Sequence, residues 1–240
     1  MSGRHCERMR VTYYDLDCTS SLKRASFMRM ANIAGDNHAA SLGIGTSKLY
    51  ERTQAFLLSR FSWRFFKEPV YNQIVDIYTW SVGVAGATFL RNGEMLSEGG
   101  EKLVEWASRW VLVDTQTHSL LRPSALDTSV PHDGVQGVTL TTDRIVYPDG
   151  PADYTHSHVV RYSDMDPNIH MNNVVYMDII MDSLPLEALD NRLFRTFHIS
   201  YIKEAAYGEQ IDISCKRDRD IFWFKGSVGG GNCFLAKGIL

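Results

Sequence analysis

The chain has 240 residues, 44% of them hydrophobic and 22% charged, and its 25 basic and 28 acidic side chains leave a net charge of −3. That balance excludes a nucleic-acid-binding protein built on a basic face, no apolar stretch approaches the ~20 residues a membrane span needs, and the polar, basic residues 1–10 lack the apolar core of a secretion signal. The four cysteines (Cys6, Cys18, Cys215, Cys233) lie far apart without ligand spacing, so reduced thiols in a cytoplasmic protein with no metal or other cofactor are expected.

From the N-terminus, Met9 to Leu16 alternate weakly and read as a short strand ending in Tyr13-Tyr14-Asp15-Leu16-Asp17. Thr19, Ser20 and Ser21 offer hydroxyls to cap the next helix. In it, Leu22, Ala25, Met28, Ala31 and Ala39 keep helical spacing up to Gly43. Ala55 to Lys67 alternate, with Leu57, Phe61, Trp63 and Phe65 on one face and Arg60, Ser62 and Arg64 on the other, the period of a half-buried strand. Further strands are expected at Gln73 to Val84, Ala87 to Leu90 and Lys102 to Val113, with Gly83, Gly86, Asn92 and Gly93 supplying turns. From Asp114 to Tyr154 seven prolines and glycines break every pattern, and only Val138 to Val146 could hold a strand, so this stretch reads as a connector crossing a surface. The pattern then restarts: a strand at His158 to Tyr162, a helix at Asn173 to Ser183 stopped by Pro185, and strands at Phe194 to Lys203, Gln210 to Lys216, Ile221 to Val228 and Cys233 to Leu240.

The restart is a repeat. Residues 11–17 match residues 160–166 at the valine (Val11, Val160), one tyrosine (Tyr13, Tyr162) and both aspartates (Asp15 and Asp17, Asp164 and Asp166). Residues 67–77 run beside 203–213 without a gap and share Lys, Glu, Tyr, Asp and Ile. Two matched blocks in the same order imply a duplicated unit, in each of which one long helix is wrapped by a curved antiparallel sheet, an α+β arrangement. Chance matching between strands of similar composition is the bland alternative. The expected division is an N-terminal domain over residues 1–125, a linker over 126–155 and a C-terminal domain over 156–240.

The candidate site lies where the second copy departs from the first. Asp166, Asn168 and His170 place a carboxylate, a carboxamide and an imidazole at alternate positions ahead of a helix, the parts needed to polarise a carbonyl and activate water. The first copy has Thr19 for Asn168, Ser21 for His170, and Lys23 and Arg24 for Asn172 and Asn173. It keeps Asp17 and Glu68, so Asp166 and Glu204 carry a structural reading beside the catalytic one: an aspartate before a helix favours its dipole, and a glutamate at a strand end is usually solvated. Other groups read more plainly. His156 and His158 fit a surface strand better than a metal site, the Gly229-Gly230-Gly231-Asn232 run is a hairpin, and Cys215 is buried packing. Lys216, Arg217 and Arg219 read as a solvated turn or, more sharply, a docking patch for an acidic partner.

These motifs carry a resemblance. Asp166-Pro167-Asn168-Ile169-His170-Met171-Asn172-Asn173, with Tyr201-Ile202-Lys203-Glu204 beyond the helix, is similar to the acyl-acyl carrier protein (acyl-ACP) thioesterases, a family of two tandem hot-dog units with the site in the second. Leu57 to Arg60 and Ser108 to Asp114 fit it as well. The resemblance implies hydrolysis of fatty acyl-ACP in fatty acid biosynthesis, acyl carrier protein as partner, a homodimer as a possible assembly, and Asp166, Asn168, His170 and Glu204 as catalytic residues. The position after the glutamate, a cysteine in many members, is Ala205, which removes a thiol mechanism there. On this reading backbone N–H groups near Asn172 and Asn173 would face the thioester oxygen, and His170 with Glu204 would position or deprotonate the water. Asn168 would orient water or carbonyl, and Asp166 would either hold that network or attack the carbonyl through an anhydride. The first half's helix and its Phe61, Trp63 and Phe65 would line an acyl tunnel or simply pack the core. The alternatives are an acyl-CoA thioesterase and a non-catalytic acyl-binding protein; a hot-dog hydratase fits the spacing poorly.

Overall fold

The computed structural model describes residues 3–126, 130, 138, 140, 143–190 and 192–240. The chain divides into two compact units, Met1–Thr142 and Asp143–Leu240. In the first, strand β1 (Arg4–Arg10) leads to helix α1 (Arg24–Ser41), the short α2 (Thr46–Tyr50) and strands β2 (Gln54–Phe65), β3 (Ile74–Ala85), β4 (Thr88–Ser97) and β5 (Lys102–Asp114), with the two-residue β6 (Leu120–Leu121) on β5. The sheet is antiparallel in the order β1-β3-β4-β5-β2. In the second, β7 (Tyr154–Val159) leads to α3 (Val175–Asp182), the single-turn α4 (Leu186–Leu189) and strands β8 (Thr196–Tyr201), β9 (Gln210–Asp218), β10 (Ile221–Val228) and β11 (Gly231–Ile239). Its order is β7-β9-β10-β11-β8, the first unit's order strand for strand.

Several elements differ from the pattern reading, each for a local reason. The first strand is Arg4–Arg10, not Met9 to Leu16. Tyr13–Asp15 instead form a 3-10 turn, closed by the Asp15 carboxylate accepting from the Thr12 N–H at 2.9 Å and its hydroxyl at 2.6 Å. The hydroxyl of Thr19 does not cap α1: it donates to Asp17 at 2.7 Å, and Lys23 holds the N-cap position without a side-chain bond. A bulge between Leu58 and Arg60 on β2 reverses the alternation, so Leu58 is buried and Leu57 only partly so, while Phe61, Trp63 and Phe65 are buried as a set. Asn92 and Gly93 lie inside β4, not in a turn. Gly93 faces Trp106 on β5, and a Cβ at Gly93 would sit 2.1 Å from that ring. Gly226 meets Phe234 in the same way, its Cβ falling at 2.0 Å. Both glycines are required by close approach of an aromatic ring rather than by backbone reversal.

Helix α1 buries Phe27 against Phe61, Trp63, Phe65 and Trp106, all edge-on, contacts worth about 0.5–1.5 kcal/mol each beyond area burial. The second helix is not long: α3 has eight residues, of which Tyr176, Met177, Ile179 and Ile180 are buried. Of the stretch 138–146, the described residues 138, 140 and 143–146 lie in no strand, and 139, 141 and 142 fall outside the described residues. The expected linker also packs. Leu126 and Val130 join a cluster with Ile44, Leu49, Phe89 and Leu112, and Val138 and Leu140 lie against Trp80 and Ala107. β7 begins at Tyr154, earlier than His158, because Tyr154 pairs with Cys215 on β9.

Beneath α1, His38 is buried, with Nδ1 3.0 Å from Arg91 Nη1 and its ring stacked on His5. Burial, then the Arg91 guanidinium and His5, pushes His38 down to about 4. The folded imidazole is therefore neutral where the unfolded one, titrating near 6.5, takes up a proton. Its contribution is complete above about pH 6.5 and is lost as pH falls toward 4, by about 3 kcal/mol at most. The urea midpoint of the wild type is expected to drop between pH 7.5 and pH 5, and His38→Gln should shrink that drop. Equal drops in both proteins would show that His38 does not govern it.

Candidate active site

The site is built on a loop that the fold uses twice. In the second unit the 3-10 turn Tyr162–Asp164 leads into residues 165–171, closed by the pairing of Met165 with Met171. The Asp166 N–H donates to His170 O at 2.9 Å, the Ile169 N–H donates to Asp166 O at 3.0 Å, and Ile169 takes φ +64°. In the first unit Leu16 pairs with Leu22, the Asp17 N–H donates to Ser21 O at 2.9 Å, the Ser20 N–H donates to Asp17 O at 3.0 Å, and Ser20 takes φ +64°. A left-handed β-branched residue beside a candidate site invites a reading as functional strain. Its recurrence at Ser20, where imidazole and amide are missing, assigns the conformation to the loop itself.

Asp166 serves that loop first. Its Oδ1 accepts the Asn168 N–H at 2.8 Å, and its Oδ2 lies 3.3 Å from Asn168 Nδ2. Asp17 does the equivalent work, accepting from the Thr19 N–H (2.8 Å), the Thr19 hydroxyl (2.7 Å) and the Ser21 N–H (3.0 Å). In the second copy the same carboxylate has a carboxamide to aim.

The loop is tied to the strand end carrying Glu204. The Met171 N–H donates to Ala205 O at 3.0 Å and His170 pairs with Ala206. This brings His170 Nε2 to 3.4 Å from Glu204 Oε2, so two residues 34 positions apart in sequence form one ion-pairing couple. Before Glu204 the Ile202 and Lys203 N–H groups both donate to Cys233 O, as those of Phe66 and Lys67 both donate to Leu103 O before Glu68. Glu68 is not merely solvated: it makes a bidentate pair with Arg24 at 2.9 and 2.6 Å, and the Arg24 side chain is 0% exposed and lies over the Phe65 ring at 3.7 Å. The glutamate keeps a cationic partner in both units, Arg24 in one and the titratable His170 in the other.

Asn172 and Asn173 part company. The Asn172 N–H donates to Asp164 O at 2.8 Å, and its Oδ1 accepts the Val174 N–H at 3.0 Å, so this residue caps the helix start and its own amide is already engaged. The Asn173 carbonyl accepts the Tyr201 hydroxyl at 2.8 Å. Pattern reading missed Arg24, the Tyr176–Tyr201 pair, and His158, whose Nε2 lies 2.8 Å from the Asp164 carboxylate that closes the preceding turn. The two tyrosines could have been found by extending the repeat alignment, because they replace Phe27 and Phe65.

The remaining candidates fall away from this cluster. His156 sits in β7 opposite Ile213. Lys216 reaches the Asp149 carbonyl, and Arg217 donates to Arg219 O and lies over Phe222, so much of the basic turn is spent on its own chain. Burial pushes the Cys215 thiol up to about 12 and the Cys233 thiol up to about 11, which keeps both protonated. Among the described residues no three His, Cys, Asp or Glu side chains gather as a metal site.

Two helix-in-sheet units in tandem, with imidazole, amide and carboxylates gathered only in the second, define a tandem hot-dog thioesterase. The acyl-ACP thioesterase N-terminal domain family matches residues 3–124 and the acyl-ACP thioesterase C-terminal domain family matches residues 150–229. The chain belongs to the acyl-ACP thioesterase family. It is 24% identical over 254 residues to oleoyl-acyl carrier protein thioesterase 1, chloroplastic, of Arabidopsis thaliana, covering 94% of this chain and 67% of that protein. It is 25% identical over 208 residues to dodecanoyl-[acyl-carrier-protein] hydrolase, chloroplastic, of Cinnamomum camphora, covering 81% and 54%. The chain thus spans about half to two thirds of these curated relatives. Its fold is that of an acyl-ACP thioesterase from Bacteroides thetaiotaomicron (TM-score 0.86, 20% identity, 99% and 97% of the two chains). It is equally that of the 12:0-ACP thioesterase from Umbellularia californica (TM-score 0.83, 19% identity, 100% and 97%).

Proposed function

We propose that the chain hydrolyses the thioester of a fatty acyl group carried on acyl carrier protein and releases the free fatty acid for fatty acid biosynthesis. The observation that carries this reading is the His170–Glu204 couple at 3.4 Å, formed only in the unit that also holds Asn168. His170 takes a proton from water as the oxygen bonds to the thioester carbon, and Glu204 stabilises the imidazolium that forms. The Asn173 amide at the start of α3 receives the developing oxyanion. When the tetrahedral intermediate collapses, the C–S bond breaks and His170 returns its proton to the carrier thiolate. Asn168, aimed by Asp166, orients the water or the carbonyl.

Asp166 acts as an orienting group on this reading, because its carboxylate is committed to Asn168. Turnover in the presence of hydroxylamine is therefore expected to leave no hydroxamate on the protein. A hydroxamate mapped to Asp166 would establish the anhydride route instead. The first unit is read as the acyl-binding half, supported by its loss of imidazole and amide. The four free cysteines support a reducing compartment, the cytoplasm, and no described helix is long and apolar enough to cross a membrane.

The deciding measurement is release of free thiol from acyl-ACPs of graded chain length, with the matching acyl-CoAs in parallel. Faster turnover of acyl-ACP supports the proposal. Preference for acyl-CoA would make the chain an acyl-CoA thioesterase, and binding without thiol release would make it an acyl-binding protein.

A further inference from the structure

The duplication supplies an internal control for the residues behind the site. Tyr176 and Tyr201 meet edge-on at 5.3 Å and 83° in the second unit, and their counterparts Phe27 and Phe65 meet at 5.2 Å and 75° in the first. Packing of the rings is thus the same in both, and what distinguishes the second unit is the two hydroxyls. Each has a specific task. The Tyr201 hydroxyl donates to the Asn173 carbonyl at 2.8 Å. The Tyr176 hydroxyl accepts the backbone N–H of Ala205, the neighbour of Glu204.

The first of these contacts coincides with a change in the helix. Helix α1 begins at Arg24, the counterpart of Asn173, whereas α3 begins only at Val175. The Met177 N–H, which a regular α-helix would give to Asn173 O, goes to Val174 O at 3.0 Å. The Tyr201 hydroxyl holds the carbonyl thus released. The same peptide is fixed from its other side, where the Val174 N–H donates to Asn172 Oδ1. In the first unit no side-chain cap closes the helix start. The delayed start fixes the direction of the preceding amide, that of Asn173.

We propose that the hydroxyls of Tyr201 and Tyr176 are positioning groups for thioester hydrolysis. Tyr201 keeps the start of α3 unwound so that the Asn173 amide faces the thioester oxygen, and Tyr176 fixes the strand end that presents Glu204 to His170. This rests on the hydrolase reading above. Burial pushes both tyrosines above the ordinary phenol range, Tyr176 being raised further by Cys233 and Tyr201 by Tyr176, so both remain protonated wherever the enzyme is assayed.

The test uses the full chain with one acyl-ACP, comparing wild type, Tyr201→Phe and Tyr176→Phe. The Phe27–Phe65 pair shows that the fold accepts rings without hydroxyls, so both variants are expected to melt near the wild-type temperature. For each, kcat is expected to fall about five- to tenfold, the factor carried by one hydrogen bond, with KM unchanged. Asn172→Ala releases the other side of the same peptide, and combined with Tyr201→Phe it should cost little more than the worse single change. Unchanged kcat in both phenylalanine variants, a KM effect without a kcat effect, or full additivity of Asn172→Ala with Tyr201→Phe would overturn the positioning role. Should Tyr201→Phe not fold, Tyr176→Phe carries the test alone. A wild-type chain that releases no thiol overturns the hydrolase reading; an active wild type with unimpaired variants overturns only this inference.

Discussion

His170→Ala is expected to lower kcat by roughly 100- to 10,000-fold, the span for loss of one acid–base group, while leaving the folded structure intact. Its ring is one quarter exposed and held by backbone pairing of the loop rather than by its own packing, so truncation leaves the 165–171 turn and its Asp166 hydrogen bonds in place. The companion change, Glu204→Gln, keeps the shape and removes the charge that stabilises an imidazolium. It should cost less than His170→Ala, and the double variant should be little worse than His170→Ala alone, because the glutamate works through the ring. Thiol release with saturating acyl-ACP measures all three. Retained kcat in His170→Ala would remove the imidazole from the mechanism, and a double variant far worse than both singles would show that Glu204 acts independently of it.

Glu68→Ala should have the largest effect on stability, although the aligned Glu204 is assigned to chemistry. Arg24 is 0% exposed at its side chain, and its guanidinium depends on Glu68, the Leu22 carbonyl and the Phe65 ring. Removing the partner of a buried charge costs about 3–5 kcal/mol. Because the Glu68 side chain is 39% exposed, water reaches the vacated place and the cost should fall near the lower end of that range, about 3 kcal/mol. Adding Arg24→Met to Glu68→Ala takes away the stranded charge and should recover most of the loss, which distinguishes an uncompensated cation from lost packing. Urea unfolding of wild type, single and double variants measures this. A double variant no more stable than Glu68→Ala would refute the account.

The contrast between Glu68 and Glu204 shows what could be seen in sequence. The duplication, the strand-rich units and the gathering of Asp166, Asn168 and His170 were visible because they are local: seven consecutive residues, a period of two, a gapless block. The partner of each glutamate was not, because Arg24 lies 44 positions before Glu68 and His170 lies 34 before Glu204, and only the loop-to-strand hydrogen bonds bring them together. Gly93 was misread for a related reason. Asn-Gly is a turn signal when only neighbours are considered, whereas here the deciding neighbour is Trp106 on the adjacent strand. The shortness of α3 was hidden by apolar spacing that continues past both ends, since the start is set by Asn172 and Tyr201 rather than by propensity.

The packing of the connector changes how the chain should be dissected. A cut after residue 125, where turn-rich composition begins, would strip Leu126, Val130, Val138 and Leu140 from the clusters formed with Ile44, Leu49, Phe89, Leu112, Trp80 and Ala107. The freed half would display an oily scar across its sheet, a surface prone to self-association. A separation after Thr142 keeps that cover attached and leaves Ile145 and Tyr147 with the half in which they pack. Fusion partners, affinity tags and split-protein fragments inserted into this enzyme therefore belong at the 142/143 junction, seventeen residues beyond the point that composition alone would recommend.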